Sequence, residues 1–409
     1  MLSSWRRSNK PGPDSHGAPA SDKFLWLPQA SKAKIGLVWM GRPRRKGPAI
    51  CLASVFLDGD EGSGSVQQNN SNTTRRLARL AEVAKEFFLY ATVRLIVAVI
   101  QTLPLDMGNS ICQGLAHLLA GPLRIRAKIT DGNLRRVFPA ADEASRWQLS
   151  LAMWHHLLLM VCEVAWAQRR LHLCNWSQYV RFRNPQISLR RLLDTRPVVT
   201  VTGHFGNFEI GGYTLGLMGI QSTTIARRLD NRFLHHWVAR FRGAKGQHMV
   251  DKEGCAPLVQ RHLENGGALS ILADQHAGTK GCWVEFMGVP ASCHKALALF
   301  SLSSGAPMMA GYTLRIDGQP MRFESACTAV ADPKHDEEGA CESVTTLTNW
   351  YNAHLTQAVA RAVDQYWWLH RRWREPPPRV AQRFATASNQ DAAGGELATA
   401  GRVDDNASS

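Results

Sequence analysis

The sequence predicts an α/β fold: a single, mostly parallel sheet flanked by helices, with an N-terminal membrane-associated helix. Three observations carry this. From Arg196 onward, short apolar strand-like runs alternate with helical periodicity. The 409 residues are 44% apolar, enough for the core of one large α/β domain with extras. Ahead of that domain, Phe87–Leu105 reads F-F-L-Y-A-T-V-R-L-I-V-A-V-I-Q-T-L-P-L. That run approaches the ~20 apolar residues needed to span a bilayer.

The elements follow in order. Residues 1–80 read as a disordered basic extension, rich in Ser, Gly, Pro, Asn and Lys/Arg. Pro11–Pro19 and Asp58–Thr74 are its least structured stretches, and the apolar patch Ala49–Leu57 is too short to span a membrane. Residues 81–110 are expected to form the membrane-associated helix. Arg94 sits near its centre, where a charge costs roughly 2.5–3.5 kcal/mol on insertion scales. Both flanks are basic, so charge assigns no orientation. A helix lying in or dipping into the interface, with Arg94 snorkelling, fits these features. A single span and a buried soluble helix are the alternatives.

Residues 111–378 form the main domain. Gln113–Arg170 reads as mostly helical, with His155 and His156 as packed or boundary histidines. Strand-like runs are Val198–Thr202, Ser222–Ala226, Ala268–Ala273, Pro307–Leu314 and Met321–Ser325. Helical patterns include Phe233–Arg242, Cys255–Asn265 and Val344–Val363. Residues 379–409 read as a disordered tail.

The stretch Val198–Ile210, V-V-T-V-T-G-H-F-G-N-F-E-I, organises the rest. A strand ends in glycine, and Asn207 suits the N-cap of a helix from Phe208. His204 then lies in the turn at the strand's carboxyl end, where open α/β sheets place their chemistry. On one continuous helix His204 and Glu209 would lie about 140° apart and could not touch. With His204 in the turn, the carboxylate can fold back onto the imidazole, fix its tautomer and stabilise its cation. That describes a base for activating a hydroxyl. A buried histidine beside a dipole-stabilising glutamate is the structural alternative.

Other groups gather at strand ends. I-A-R-R-L-D-N places Arg227 after one strand, suited to phosphate or carboxylate. S-I-L-A-D-Q-H-A-G places Asp274 and Gln275 after another, where they would shape the site. Lys295, within W-V-E-F-M-G-V-P-A-S-C-H-K-A, could meet an anion, and Phe286–Pro290 reads as an apolar turn bordering a groove. D-Q-Y-W-W-L-H-R-R-W-R, from Asp364, interleaves aromatic and basic residues, suited to a headgroup layer, to the core or to nucleic acid.

The net charge of +15, from 48 basic and 33 acidic residues, calls for an anionic partner: a membrane surface, an acidic carrier protein, a phosphorylated lipid or nucleic acid. No other motif supports nucleic acid. Nine scattered cysteines without a CxxC pair exclude a disulfide scaffold and a standard zinc site, and no metal is expected. There is no P-loop, no GxGxxG after a strand and no internal repeat.

Taken together, these motifs resemble the bacterial lipid A biosynthesis acyltransferases, within the wider lysophospholipid acyltransferase group. H-F-G-N-F-E at His204–Glu209 is similar to the family's H-x4-(D/E) block. A-R-R-L-D-N at Ala226–Asn231, A-D-Q at Ala273–Gln275, F-M-G-V-P-A at Phe286–Ala291 and Q-Y-W-W-L-H-R-R-W at Gln365–Trp373 match further blocks in order. N-L-R-R-V-F-P at Asn133–Pro139 resembles a block of the amino-terminal half. Arg228 and His276 stand where the family usually has proline and a second aspartate.

The resemblance implies a glycerolipid acyltransferase-like fold and residues 111–378 as an acyltransferase domain at the cell inner membrane, on its cytoplasmic side. It implies acyl transfer from a carrier-protein or CoA thioester to a hydroxyl of a membrane glycolipid such as a lipid A precursor. The partners are that lipid acceptor, the acyl carrier protein and the membrane surface. No cofactor is implied beyond the thioester co-substrate. His204 would be the general base, Glu209 its orienting carboxylate, and Arg227 a contact to phosphate or phosphopantetheine. Rival readings are an acyl-CoA-dependent acyltransferase for another glycolipid or lysophospholipid, a non-catalytic lipid binder, and a thioester hydrolase using the same dyad.

Overall fold

The structure, a computed structural model, describes residues 66–386. The expectations for residues 1–65 and 387–409 lie outside the described residues. The chain divides into two units, Met1–Glu82 and Val83–Ser409, and the sheet belongs to the second.

Helix α1 (Val66–Thr102) begins inside the stretch expected to be unstructured. It ends two residues before Pro104, whose ring cannot continue it, and α2 (Leu105–Ala120) starts directly afterwards. The single helix expected over residues 81–110 is therefore two. Phe88 and Leu95 of α1 are 74% and 66% exposed, so its apolar side is open. Arg94 does not stand alone there: its guanidinium lies 5.4 Å from the Trp237 ring centroid, a cation–π contact. Helices α3 (Ala127–Val137) and α4 (Glu143–Arg170) follow. Among the described residues only α4 is long and apolar enough to cross a membrane. It buries Met153, Leu159 and Trp166 completely within the protein.

The main sheet has seven strands. They are β1 (Val180–Arg183), β2 (Val198–Thr202), β3 (Ser222–Ala226), β4 (Gln247–Asp251), β5 (Ala268–Leu272), β8 (Met308–Arg315) and β9 (Phe323–Ala331), in the order β1-β9-β8-β2-β5-β3-β4. The five from β8 to β4 are parallel. Strand β9 runs antiparallel to β8, and β1 runs parallel to β9. The mostly parallel sheet expected from the β-α alternation is present, with a two-strand reversal at one edge. Helices α6 (Phe208–Leu217), α7 (Arg232–Gly243) and α8 (Ala256–Glu264) connect the successive parallel strands on the β3–β4 side. The short α5 (Pro185–Leu192) links β1 to β2.

Between β5 and β8 the chain adds a separate hairpin, β6 (Cys282–Phe286) and β7 (Val289–Cys293), then α9 (Ala296–Ser304). The expected apolar turn is the tip of this hairpin. Met287 and Gly288 both take positive φ, 55° and 73°, as a two-residue hairpin turn requires. Pro290 is tolerated because the hairpin stands outside the main ladder. Strands β1 and β4 were not legible: V-R-F-R and Q-H-M-V-D are short and polar. The last long helix, α10 (Val344–Ala360), buries Leu347, Tyr351 and Leu355 against the sheet. Residues 378–386 are helical, where a tail without structure was expected.

Candidate active site

The centre of the site follows from the ladder between β2 and β5. Their register pairs Val198 with Ala268 and Thr202 with Leu272, a constant offset of 70 residues. The ladder continues as Ala273 N–H donates to the Thr202 carbonyl at 2.8 Å. Two residues past the last pair, the same offset joins His204 to Asp274. Their side chains meet: Nδ1 lies 2.8 Å from Asp274 Oδ1. Gly203 makes this possible, because a Cβ there would lie 3.0 Å from Asp274 Cγ and from the Phe205 ring.

The loop carrying His204 is clamped by the segment from Gln365. Gly206 N–H donates to the Gln365 carbonyl at 3.0 Å, and Trp367 N–H to the His204 carbonyl at 2.9 Å. Phe205 and Tyr366 form an isolated antiparallel bridge. On the other side Asn207 N–H donates to the Thr313 carbonyl of β8 at 2.8 Å. At Gly206, φ is +59° and an added Cβ would lie 2.0 Å from that same carbonyl, so only glycine fits. Asn207 caps α6 as expected, its Oδ1 accepting from Ile210 N–H at 3.2 Å.

A buried polar network underlies the loop. Glu163 of α4 and Arg315 of β8 pair through two contacts of 2.7 Å each. Asn207 Nδ2 donates to Glu163 Oε2 at 2.9 Å. His156 bridges Arg315, at 3.0 Å, and the Gly206 carbonyl, at 3.2 Å. Nε2 must therefore carry the proton while Nδ1 accepts. Burial, with Arg315 adding, holds His156 well below the ordinary histidine pKa, which keeps it neutral. The sequence signal was Glu163 itself, a carboxylate in the apolar run L-L-L-M-V-C-E-V-A-W.

His204 faces opposing influences. Burial disfavours its cation, but the charge and hydrogen bond of Asp274, with Glu209 contributing, outweigh burial and raise its pKa above the ordinary value. Burial would raise the Asp274 carboxyl, but the His204 charge and hydrogen bonds, and the Arg372 charge, hold it below the usual range. Burial, with the nearby Asp274 charge adding, pushes the Tyr366 hydroxyl well above the ordinary tyrosine range. In neutral His204, Nδ1–H donates to the ionised Asp274 and leaves the Nε2 lone pair free. The Gln275 amide nitrogen lies 3.3 Å from that Nε2 and donates to it. Nε2 borders a cavity of about 300 Å³ lined by Arg126, His204, Asp274, Gln275, Trp367, Leu369 and His370. Burial, with nearby Arg372 and His204 adding, pushes the His370 pKa down to about 4.

The structure thus brings His204, Asp274 and Gln275 together. It does not place Glu209 on His204. Glu209 instead pairs with Arg242 of α7, Oε2 lying 3.1 Å from Nε and Oε1 meeting Nη2. On the first turn of α6 the carboxylate lies within reach of α7, while the ladder register delivers Asp274 to the imidazole. Arg227 sits beyond β3, which β5 separates from β2. Its side chain is 81% exposed and pairs with Asp230 at 3.0 Å, away from the cavity. Lys295, at the start of α9, is exposed and does not line the cavity. Sequence reasoning missed Arg126, Trp367, Leu369 and His370 as cavity residues. They sit far from His204 in the chain, and only the clamp joins them.

An imidazole–carboxylate pair at adjoining ends of parallel strands, beside a cavity, is an arrangement chemically suited to taking a proton from a bound group, as in many α/β enzymes. The class narrows on comparison with known proteins. Residues 77–375 match the family described as bacterial lipid A biosynthesis acyltransferase. The chain belongs to that family and is an acyltransferase. It is 24% identical over 261 residues to the lipid A biosynthesis palmitoleoyltransferase of Escherichia coli (strain K12), covering 62% of this chain and 81% of that one. A lipid A biosynthesis acyltransferase of Shigella flexneri matches to the same extent. The lipid A biosynthesis lauroyltransferase of the same E. coli strain is 24% identical over 282 residues, covering 66% of this chain and 86% of that one. A solved 1-acyl-sn-glycerophosphate (LPA) acyltransferase, PlsC from Thermotoga maritima, superposes with a TM-score of only 0.32 at 11% identity, over 64% of this chain and 99% of that one.

Proposed function

We propose that the protein transfers a fatty acyl chain from a thioester donor, an acyl carrier protein or CoA, to a hydroxyl of a membrane glycolipid such as a lipid A precursor. The observation that carries this is the 2.8 Å contact from His204 Nδ1 to Asp274, which leaves Nε2 facing the cavity. An acceptor hydroxyl takes the place of the Gln275 amide at Nε2 and gives up its proton there. Its oxygen attacks the thioester carbonyl; a C–O bond forms, the C–S bond breaks, and the departing thiolate takes the proton from the imidazolium. No acyl-enzyme is required. Asp274 orients His204 and stabilises its cation, the role that the spacing alone suggested for Glu209. Glu209 acts through its charge and through Arg242.

The basic chain and the exposed apolar side of α1 support work at an anionic membrane surface, here read as the cytoplasmic face of the inner membrane. General-base catalysis typically contributes ~10²–10⁴-fold. His204→Ala is therefore expected to abolish measurable transfer while the protein stays folded, though with a lowered melting temperature because Asp274 loses its buried partner. The check is mass spectrometry of lipids after incubation with a panel of donors and acceptors. Wild-type-like transfer by folded His204→Ala protein would sink the assignment.

A further inference from the structure

The geometry points to Arg126 as the receptor for a phosphate ester at the mouth of the cavity that holds His204. This rests on reading that cavity as the site of acyl transfer. Arg126 is the N-cap of α3, yet its side chain caps nothing. Its φ is +54°, and two residues earlier Arg124 also takes a positive φ, 45°. Non-glycine residues are uncommon in this region, and a bulky one is held there only by its surroundings. One anchor is visible: Nη1 donates to the Leu369 carbonyl at 3.0 Å, joining Arg126 to the strip that also carries Trp367 and His370.

The rest of the guanidinium has no hydrogen-bond partner among the described residues. Among the described residues Arg126 makes no ion pair. Asp274 is the one carboxylate among the described residues that lines the cavity, and it is buried and paired with His204. The cavity mouth therefore presents an unbalanced planar cation with free N–H groups, suited to two oxygens of one anion. Arg227 offers nothing comparable, being closed on Asp230 in open solvent.

The surroundings narrow the anion. Leu123 and Ile125, 53% and 41% exposed, place an apolar rim beside Arg126. His370, largely neutral at pH 7, can donate a hydrogen bond without repelling Arg126. An amphiphilic phosphate ester fits a charge beside an apolar rim. Two sources share that chemistry: a phosphate on the acceptor glycolipid, and the phosphodiester of a donor's phosphopantetheine arm.

The experiment crosses two variants, Arg126→Gln and Arg126→Lys, with four substrates. The acceptor is supplied with and without its phosphate. The donor is acyl carrier protein, or an acyl-pantetheine thioester lacking phosphate. For Arg126→Gln the preference in kcat/KM for the phosphate-bearing partner is expected to fall roughly tenfold to a hundredfold, as for a lost charge-assisted hydrogen-bonded contact. Arg126→Lys, which keeps the charge but not the fork, is expected to recover part of it. Loss confined to the acceptor pair assigns the acceptor phosphate, and loss confined to the donor pair assigns the phosphopantetheine. An unaltered preference on both pairs in folded Arg126→Gln protein overturns the proposal, as does an equal drop on all four substrates. If wild-type protein transfers nothing, the acyltransferase chemistry fails separately. Equilibrium binding of phosphorylated and dephosphorylated glycolipid to wild-type and Arg126→Gln protein then decides: a preference present in both overturns the proposal, and one lost only in the variant supports it.

Discussion

The two faces of His204 differ in kind. Behind it, the groups that hold the ring are paired: Nδ1 to Asp274, the loop backbone to residues 365–367 and to β8, and the layer below to Glu163 and Arg315. In front, Gln275 reaches Nε2 at 3.3 Å and Arg126 holds one carbonyl. The rear fixes one imidazole orientation at the cost of burying charge. The front leaves contacts that a substrate can take over. On the proposed mechanism, positioning comes from the paired hydrogen bonds behind the ring, and turnover from the groups left open to exchange in front.

Mutations behind and in front of the ring should separate these roles. Removing the Asp274 charge should have the largest effect. Asp274→Asn loses the acceptor that selects the tautomer, and kcat is expected to fall roughly 10²–10⁴-fold. The pH profile supplies the sign. As the proposed base His204 must be neutral, and its pKa is raised, so wild-type activity is expected to fall as pH drops through a value above the ordinary histidine range. Without the Asp274 charge, burial dominates and this acidic limb should move to lower pH. Steady-state rates from pH 5 to 9 check both the size and the direction.

Next comes the network beneath the loop. Glu163→Ala strands Arg315 in the core and should destabilise the fold by about 3–5 kcal/mol. Pairing it with Arg315→Met should return much of that. Denaturant midpoints of the single and double variants measure the coupling. Glu209→Gln should be milder, lowering kcat by roughly tenfold, about one pKa unit of free energy. A Glu209 effect larger than that of Asp274 would reverse the assignment of the orienting carboxylate. Arg227→Ala and Lys295→Ala should change kcat/KM by no more than about twofold, as surface substitutions typically do.

The sequence showed the parts of this site better than their partners. His204 and Asp274 were each legible as polar residues ending β-branched or apolar runs, because a parallel strand points its carboxyl end at the ligand side. Their pairing was not legible. Glu209 is five residues from His204 and Asp274 is seventy, and local spacing favoured the nearer carboxylate. Only the adjacency of β2 and β5, strands that are not consecutive in the chain, decides otherwise. Arg227 ends a strand of the same sheet one place further along, and its exposed side chain pairs with Asp230 rather than joining the cavity. The long helix at the N-terminal end of the described chain was visible as an apolar run, but its start at Val66 lies in a polar stretch with no apolar periodicity.

One consequence follows from the shared register of β2 and β5. The spacing of His204 and Asp274 is inherited from a central ladder whose Val199, Val201 and Leu269 side chains are wholly buried. Local fraying cannot separate the pair, since opening that ladder means dismantling the core on both faces of the sheet. In deuterated solvent, the amide protons of Val201 and Ile271 should therefore exchange only through global unfolding, while those around Arg126 exchange through small local openings. The proton-transfer geometry would then persist up to the melting transition and vanish with it, so inactivation and unfolding should follow a single curve.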